Sequence, residues 1–262
     1  MTESTFFTTA FALYAAALIV YFASLFARRE KWALLGIALA AGGLVSHTAA
    51  LILRTVASGH APFTNMYESL SFLSWAIVVA LIVFGRKSRV PRLGPYLMLI
   101  AVGLVALASS PLMPKETAPL VPALQSYWLW LHVSVTLLGE AFFAVAFVSS
   151  LLYLAADTEE KKDKLDALSY RAVAVGFPLF TLGGLIFGMV WAYRAWGRYW
   201  AWDPKEVWSL ITWFVFALYL HTRIVMGWKG KRSAWIAIAG FLAALFTYFG
   251  VNYLLTGLHS YA

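Results

Sequence analysis

Between Trp191 and Trp208 the chain reads WAYRAWGRYWAWDPKEVW, and six of its twelve tryptophans fall between positions 191 and 213. Indole and phenol faces stack on a large flat ligand, while their polar edges tolerate a wet interface. Arg194, Arg198 and Lys205 could pair with ligand carboxylates, arginine in bidentate fashion. Gly197 would admit a close backbone approach. Pro204 after Asp203 suits the start of a helix, where the missing donor costs nothing. Asp203 is then expected as the helix N-cap, a structural role that competes with direct ligand contact. The bland alternative is an interfacial aromatic belt. A belt would spread over many helix ends, whereas these rings share one loop with arginines and an Asp-Pro.

Five histidines accompany this loop. His132 follows Trp128 and Trp130 at the start of an apolar run, and His259 lies beyond the end of the last one. Both are expected at the level of the tryptophan loop. His221 lies twelve residues beyond Ser209, roughly 18 Å further along a helix at 1.5 Å per residue. An ionisable residue at that depth is a candidate functional site. One histidine alone is more often a packing residue than a ligand; two beside the loop point to axial ligation of iron. A flat ring bearing two carboxylates and an iron is haem. His47 is open between packing and ligation, and His60 is expected as a solvated loop residue. Glu140 is expected to be buried, either paired with a polar group on another helix, the favoured reading, or carrying a proton, and Glu68 to sit at the positive end of a helix.

The elements that hold these groups are membrane helices. The chain is 62% hydrophobic and 12% charged over 262 residues, against roughly half and a quarter in soluble domains. Apolar runs reach the roughly 20 residues needed to cross a bilayer, and only helices satisfy the backbone over runs so continuous. An all-α, polytopic integral membrane bundle of about eight helices follows, with spans near 6–27, 32–53, 67–85, 93–110, 127–155, 170–193, 209–227 and 234–256. It reads as one transmembrane domain, 1–262, with the tryptophan loop at about 191–208 outside the membrane. The net charge is +8, but the basic residues sit in short loops, so nucleic-acid binding is set aside. Fifteen of the twenty Lys and Arg residues alternate onto one side, among them Arg28, Arg29, Arg89, Arg92, Lys161 and Arg223. That side is expected to be cytoplasmic, leaving both termini outside. The charged stretch Asp157 to Asp166 reads as a solvated cytoplasmic connector, and Pro119 and other prolines fall in outer loops. The first apolar run lacks a basic leader and a cleavage site, so it reads as a retained helix. Cysteine is absent, which excludes disulfides, thiolate metal sites and thiol catalysis by this chain.

The segment Trp196-Gly197-Arg198-Tyr199-Trp200-Ala201-Trp202-Asp203-Pro204-Lys205-Glu206-Val207-Trp208 resembles the tryptophan-rich WWD signature of haem-handling proteins. With Ser209-Leu-Ile-Thr-Trp213, Tyr219-Leu-His221-Thr-Arg223 and Pro62-Phe-Thr-Asn65-Met-Tyr67-Glu68, it is similar to the CcsA (ResC) type, the membrane synthase subunit of System II cytochrome c biogenesis. The resemblance covers nearly the whole chain. It implies a bacterial cytoplasmic-membrane protein that acts as a holocytochrome c synthase with a CcsB (ResB) partner. Haem b would be both substrate and bound ligand. It would be held first near His221, with a second histidine from the partner, and then at the loop (Trp196, Gly197, Arg198, Trp200, Trp202, Asp203) between His132 and His259. The client would be an apocytochrome c with a Cys-x-x-Cys-His segment, its thiols kept reduced by other proteins. Two alternatives stand: a haem exporter or carrier without a part in thioether formation, and a transporter or scaffold whose tryptophans only anchor the outer leaflet.

Overall fold

A computed structural model describes residues 2–27, 30–88, 93–116 and 120–258. Arg28, Arg29, Arg89, Arg92, Pro119 and His259 lie outside the described residues. Among those described, every regular element is helical. We number the helices α1 (Glu3–Ala27), α2 (Glu30–Ser58), α3 (Met66–Ser88), α4 (Leu93–Ser109), α5 (Tyr127–Leu154), α6 (Glu159–Trp196), α7 (Pro204–Ile224) and α8 (Lys231–Leu254). Seven are long and apolar enough to cross a membrane; α4 is an apolar helix of 17 residues. The protein is a multi-span membrane helix bundle.

The helices gather into two compact units, Met1–Pro119 and Leu120–Ala262. Within the first, α1 packs on α2 and α4, and α3 packs on α2 and α4, so four helices close a ring. A buried ionic cluster joins this ring. Arg54 Nε donates to Glu68 Oε1 at 2.9 Å, and Nη2 donates to the Lys115 carbonyl at 2.8 Å. Glu3 lies 3.6 Å from the same guanidinium and accepts from the Tyr67 hydroxyl at 3.0 Å. The other Glu68 oxygen takes both the amide and the hydroxyl of Thr64. So many donors satisfy the lone pairs that burial would otherwise leave costly. His47 is fully buried, with Nε2 2.8 Å from Ser71 Oγ and Nδ1 3.3 Å from Tyr14 Oη. His60, expected in solvent, is buried instead, its Nδ1 3.0 Å from the Ala61 carbonyl. The connector folds back on itself there, since Ser58 Oγ also donates to the His60 carbonyl.

The second unit is likewise a ring: α5 packs on α6 and α8, and α7 on α6 and α8. Two differences from the expected spans matter. First, α6 begins at Glu159, inside the stretch read as a connector. Exposed charges at and just before its start pair at i,i+4 spacing, Asp157 with Lys161 and Glu160 with Lys164, each at 2.6 Å. Glu159 and Glu160 also sit in the first turn, where the helix dipole favours carboxylates. Second, α6 and α8 each contain a π turn, at Thr181–Phe187 and Phe246–Gly250. Apolar periodicity does not reveal an inserted residue of this kind.

Candidate haem site

The site is built from α5, α6, the loop that leaves α6, and the segment that follows α8, all in the second unit. His132 lies on the second turn of α5. Its Nδ1 is 2.8 Å from the carbonyl of Gly183. That carbonyl belongs to the π turn and also accepts from the Gly188 amide. A carbonyl can only accept, so Nδ1 carries the proton and the ring's lone pair is on Nε2. This is the tautomer that a histidine needs to ligate iron while its other nitrogen is anchored. The approach depends on glycine, because a Cβ at Gly183 would lie 2.4 Å from the Thr136 amide nitrogen.

The His132 ring is parallel to that of Trp191, at 7° and 5.7 Å between centroids. Trp191 is buried and donates from Nε1 to the Ala123 carbonyl at 2.9 Å. It meets Trp196 edge-on at 4.8 Å. Gly197 then ends α6 with φ +73° and its amide on the Tyr193 carbonyl. The space beside it is open, so the requirement visible here is the left-handed conformation rather than close packing. Tyr193 and Tyr199 stack at 4.5 Å across the turn, and both are exposed, as are Arg194 and Arg198. Trp200 and Trp202 meet at right angles, 5.8 Å apart.

Trp202 has φ +58°, the one positive value at a non-glycine residue among those described, and its side chain is 72% exposed. For a bulky residue such a conformation costs on the order of 1–3 kcal/mol. Asp203, 6% exposed, caps α7 by accepting from the Lys205 amide in a capping box with Glu206. Its other oxygen accepts from the Leu258 amide. One carboxylate therefore joins the tryptophan loop to the residue before His259. Lys205 donates to Asn252 on α8 at 2.9 Å and interacts electrostatically with Glu140 on α5. Glu140 is buried on α5, eight residues after His132.

His221 is not in this group. Helix α7 starts at Pro204 and stops at Ile224, where Gly227 turns with φ +66° and Trp228 donates back to the Thr222 carbonyl. His221 thus falls in the last turn of α7, roughly 25 Å along its axis from Pro204. It is exposed and continues a face with Ile211, Phe214 and Leu218. Next to it, Arg223 makes a two-pronged ion pair with Asp166, which also accepts from the Gly230 amide.

Sequence reasoning missed the part of Gly183, whose carbonyl orients His132, because nothing in the string marks the π turn. It also missed Glu206, which accepts from the amides of Ala201 and Asp203.

Fold and site together define a polytopic helical membrane protein that displays an aromatic, arginine-flanked loop beside an oriented histidine. Residues 63–259 match the family described as Cytochrome C assembly protein, and the chain belongs to that family. Within it, the sequence is similar to cytochrome c biogenesis proteins CcsA. The protein of Gloeobacter violaceus is 36% identical over 95% of this chain and 93% of its own length. That of Synechococcus sp. (strain CC9605) is 40% identical over 82% of each. That of Chlamydomonas reinhardtii is 44% identical over 80% of this chain, which spans 64% of the relative. Among solved structures, the cytochrome c heme lyase CcmF superimposes with a TM-score of 0.74 at 18% identity, covering 95% of this chain. The chain spans about half the length of CcmF, 47%, and the likeness is one of fold.

Proposed function

We propose that, within cytochrome c maturation, this protein is the synthase subunit of a System II pair. It receives haem, holds it at the tryptophan loop with His132 as an axial ligand, and presents it to apocytochrome c outside the cytoplasmic membrane. The observation that carries this reading is His132 itself: anchored through Nδ1 to the Gly183 carbonyl and stacked on Trp191, its Nε2 has the lone pair that iron takes. The exposed rings of Tyr193, Tyr199 and Trp202 offer a flat apolar surface for the macrocycle. Arg194 and Arg198 offer charge to the propionates. Asp203 holds the chain at Leu258, next to His259, the proposed second ligand.

Attachment requires two thiols to add across two vinyl groups, each S–H bond giving its hydrogen to carbon as the C–S bond forms. This chain has no cysteine, so both thiols come from the Cys-x-x-Cys-His segment of the client. The protein's contribution is orientation, which raises the effective concentration of thiol at vinyl. The client's histidine would displace one of the two external ligands. His221, exposed at the far end of α7 on an apolar face, would hold haem earlier, together with a histidine from a CcsB-type partner.

The test is co-expression of the chain, the partner and an apocytochrome c, scoring covalent haem on the client by haem staining after denaturation. The wild type should yield holocytochrome and His132→Ala should yield at least about tenfold less, the scale on which metal sites lose affinity when their ligand sphere is disturbed. Equal maturation by His132→Ala would sink the ligand assignment. A haem-loaded chain that never yields thioether bonds would identify a carrier instead.

A further inference from the structure

We infer that Glu206 is a positioning residue: its carboxylate holds Trp202 in the left-handed, outward-facing conformation that puts the indole against the macrocycle. This rests on the haem reading above. Trp202 has φ +58°, a region in which the side chain of an L-residue crowds its own backbone and in which glycine is the usual occupant. Ring packing restrains this conformation little, since the residue is 72% exposed and the ring meets Trp200 edge-on at 5.8 Å. The restraint comes from the two amides that bracket it. Ala201 N donates to Glu206 Oε2 at 2.8 Å and Asp203 N donates to the same oxygen at 3.1 Å. A single oxygen bridging the amides on either side of one residue fixes the backbone between them. The Asp203 carboxylate is directed elsewhere, accepting from Lys205 N and Leu258 N. A chain that needed only to turn here would place glycine at 202. Keeping a strained, exposed indole makes sense when the ring has something to meet outside the chain, and an aromatic macrocycle is the ligand it suits.

The experiment is a haemin titration of the full-length protein in lipid nanodiscs, read by the Soret band and by quenching of indole fluorescence. The proteins compared are wild type, Glu206→Gln, Glu206→Asp, Glu206→Ala, Trp202→Gly and the double variant Glu206→Ala/Trp202→Gly. Glu206→Gln keeps an oxygen that can accept from both amides and should bind haemin as the wild type does. Glu206→Asp keeps the charge but withdraws it from the loop; it and Glu206→Ala should bind about tenfold more weakly, the usual scale for losing an orienting partner. Trp202→Gly should lose a similar amount, and the double variant no more than Trp202→Gly alone, because Glu206 acts through Trp202. If Glu206→Asp and Glu206→Ala titrate as wild type, or if Glu206→Ala costs as much in the Trp202→Gly background as in the wild type, the positioning role is wrong although the haem reading stands. A folded wild type that takes up no haemin overturns the haem reading and this inference with it.

Discussion

At the scale of single residues, polar side chains of the loop region each satisfy several backbone groups at once. Asp203 shows this most clearly. Its carboxylate caps α7 through Lys205 N and tethers the segment after α8 through Leu258 N. A Cβ at Gly257 would sit 2.5 Å from the same carboxylate, so the tether is closely packed. Replacing Asp203 with alanine should cost about 0.5–2 kcal/mol for the cap alone. It should also free the C-terminal segment. The expected outcome is a lower midpoint of thermal unfolding in detergent together with faster proteolysis after residue 254. Asp203→Asn keeps one acceptor oxygen and puts a donor where the other stood, so it can hold the Lys205 amide or the Leu258 amide but not both, and should fall between wild type and Asp203→Ala. Equal proteolysis of all three proteins would show that the Leu258 bond does not hold the segment. Asp203 as an N-cap is legible from its place before Pro204, but its bond to residue 258 is not, because fifty-five positions separate the two.

At the scale of elements, the π turn in α6 decides how the site is assembled. The extra residue between Thr181 and Phe187 leaves the Gly183 carbonyl aimed at α5, where His132 meets it. Trp213 on α7 donates to Thr181 Oγ1 at the start of the same turn, so three helices converge on the irregularity. Gly183→Ala would put a methyl group against the Thr136 backbone. Overpacking of this kind costs typically about 1–3 kcal/mol, and relief by separating α5 from α6 would break the His132 bond. The expected result is a destabilised protein whose haem Soret band is weaker or shifted. An unchanged melting midpoint and spectrum for Gly183→Ala would contradict this account. Apolar periodicity predicts that residues 170–193 form a helix, and they do. It cannot show where an i→i+5 bond replaces i→i+4, since the choice is made by what packs against the helix.

At the scale of the whole molecule, the distribution of basic residues predicts an orientation. The stretch from Asp157 to Lys164, where α6 starts, carries exposed charge pairs, while the loop at 197–203 lies at the other end of α6. Reporter fusions should therefore read cytoplasmic at residue 157 and external at residue 198; the reverse pattern would place the tryptophan loop on the wrong side for an extracytoplasmic client. Amino-acid order alone decides that this is a helical membrane bundle, because apolar runs of this length and the lack of other hydrogen-bond partners in lipid leave no alternative. It also marks out the tryptophan loop, through composition, and the α7 start, through Asp-Pro. What only tertiary structure decides is which groups meet. His132 receives its tautomer from Gly183, Lys205 its partner Asn252 from α8, Trp202 its strained backbone from Glu206, and His60 its burial from the fold of its connector. Each of these depends on distances across helices or across a turn, which local pattern does not encode, and packing selects them only once the bundle has formed.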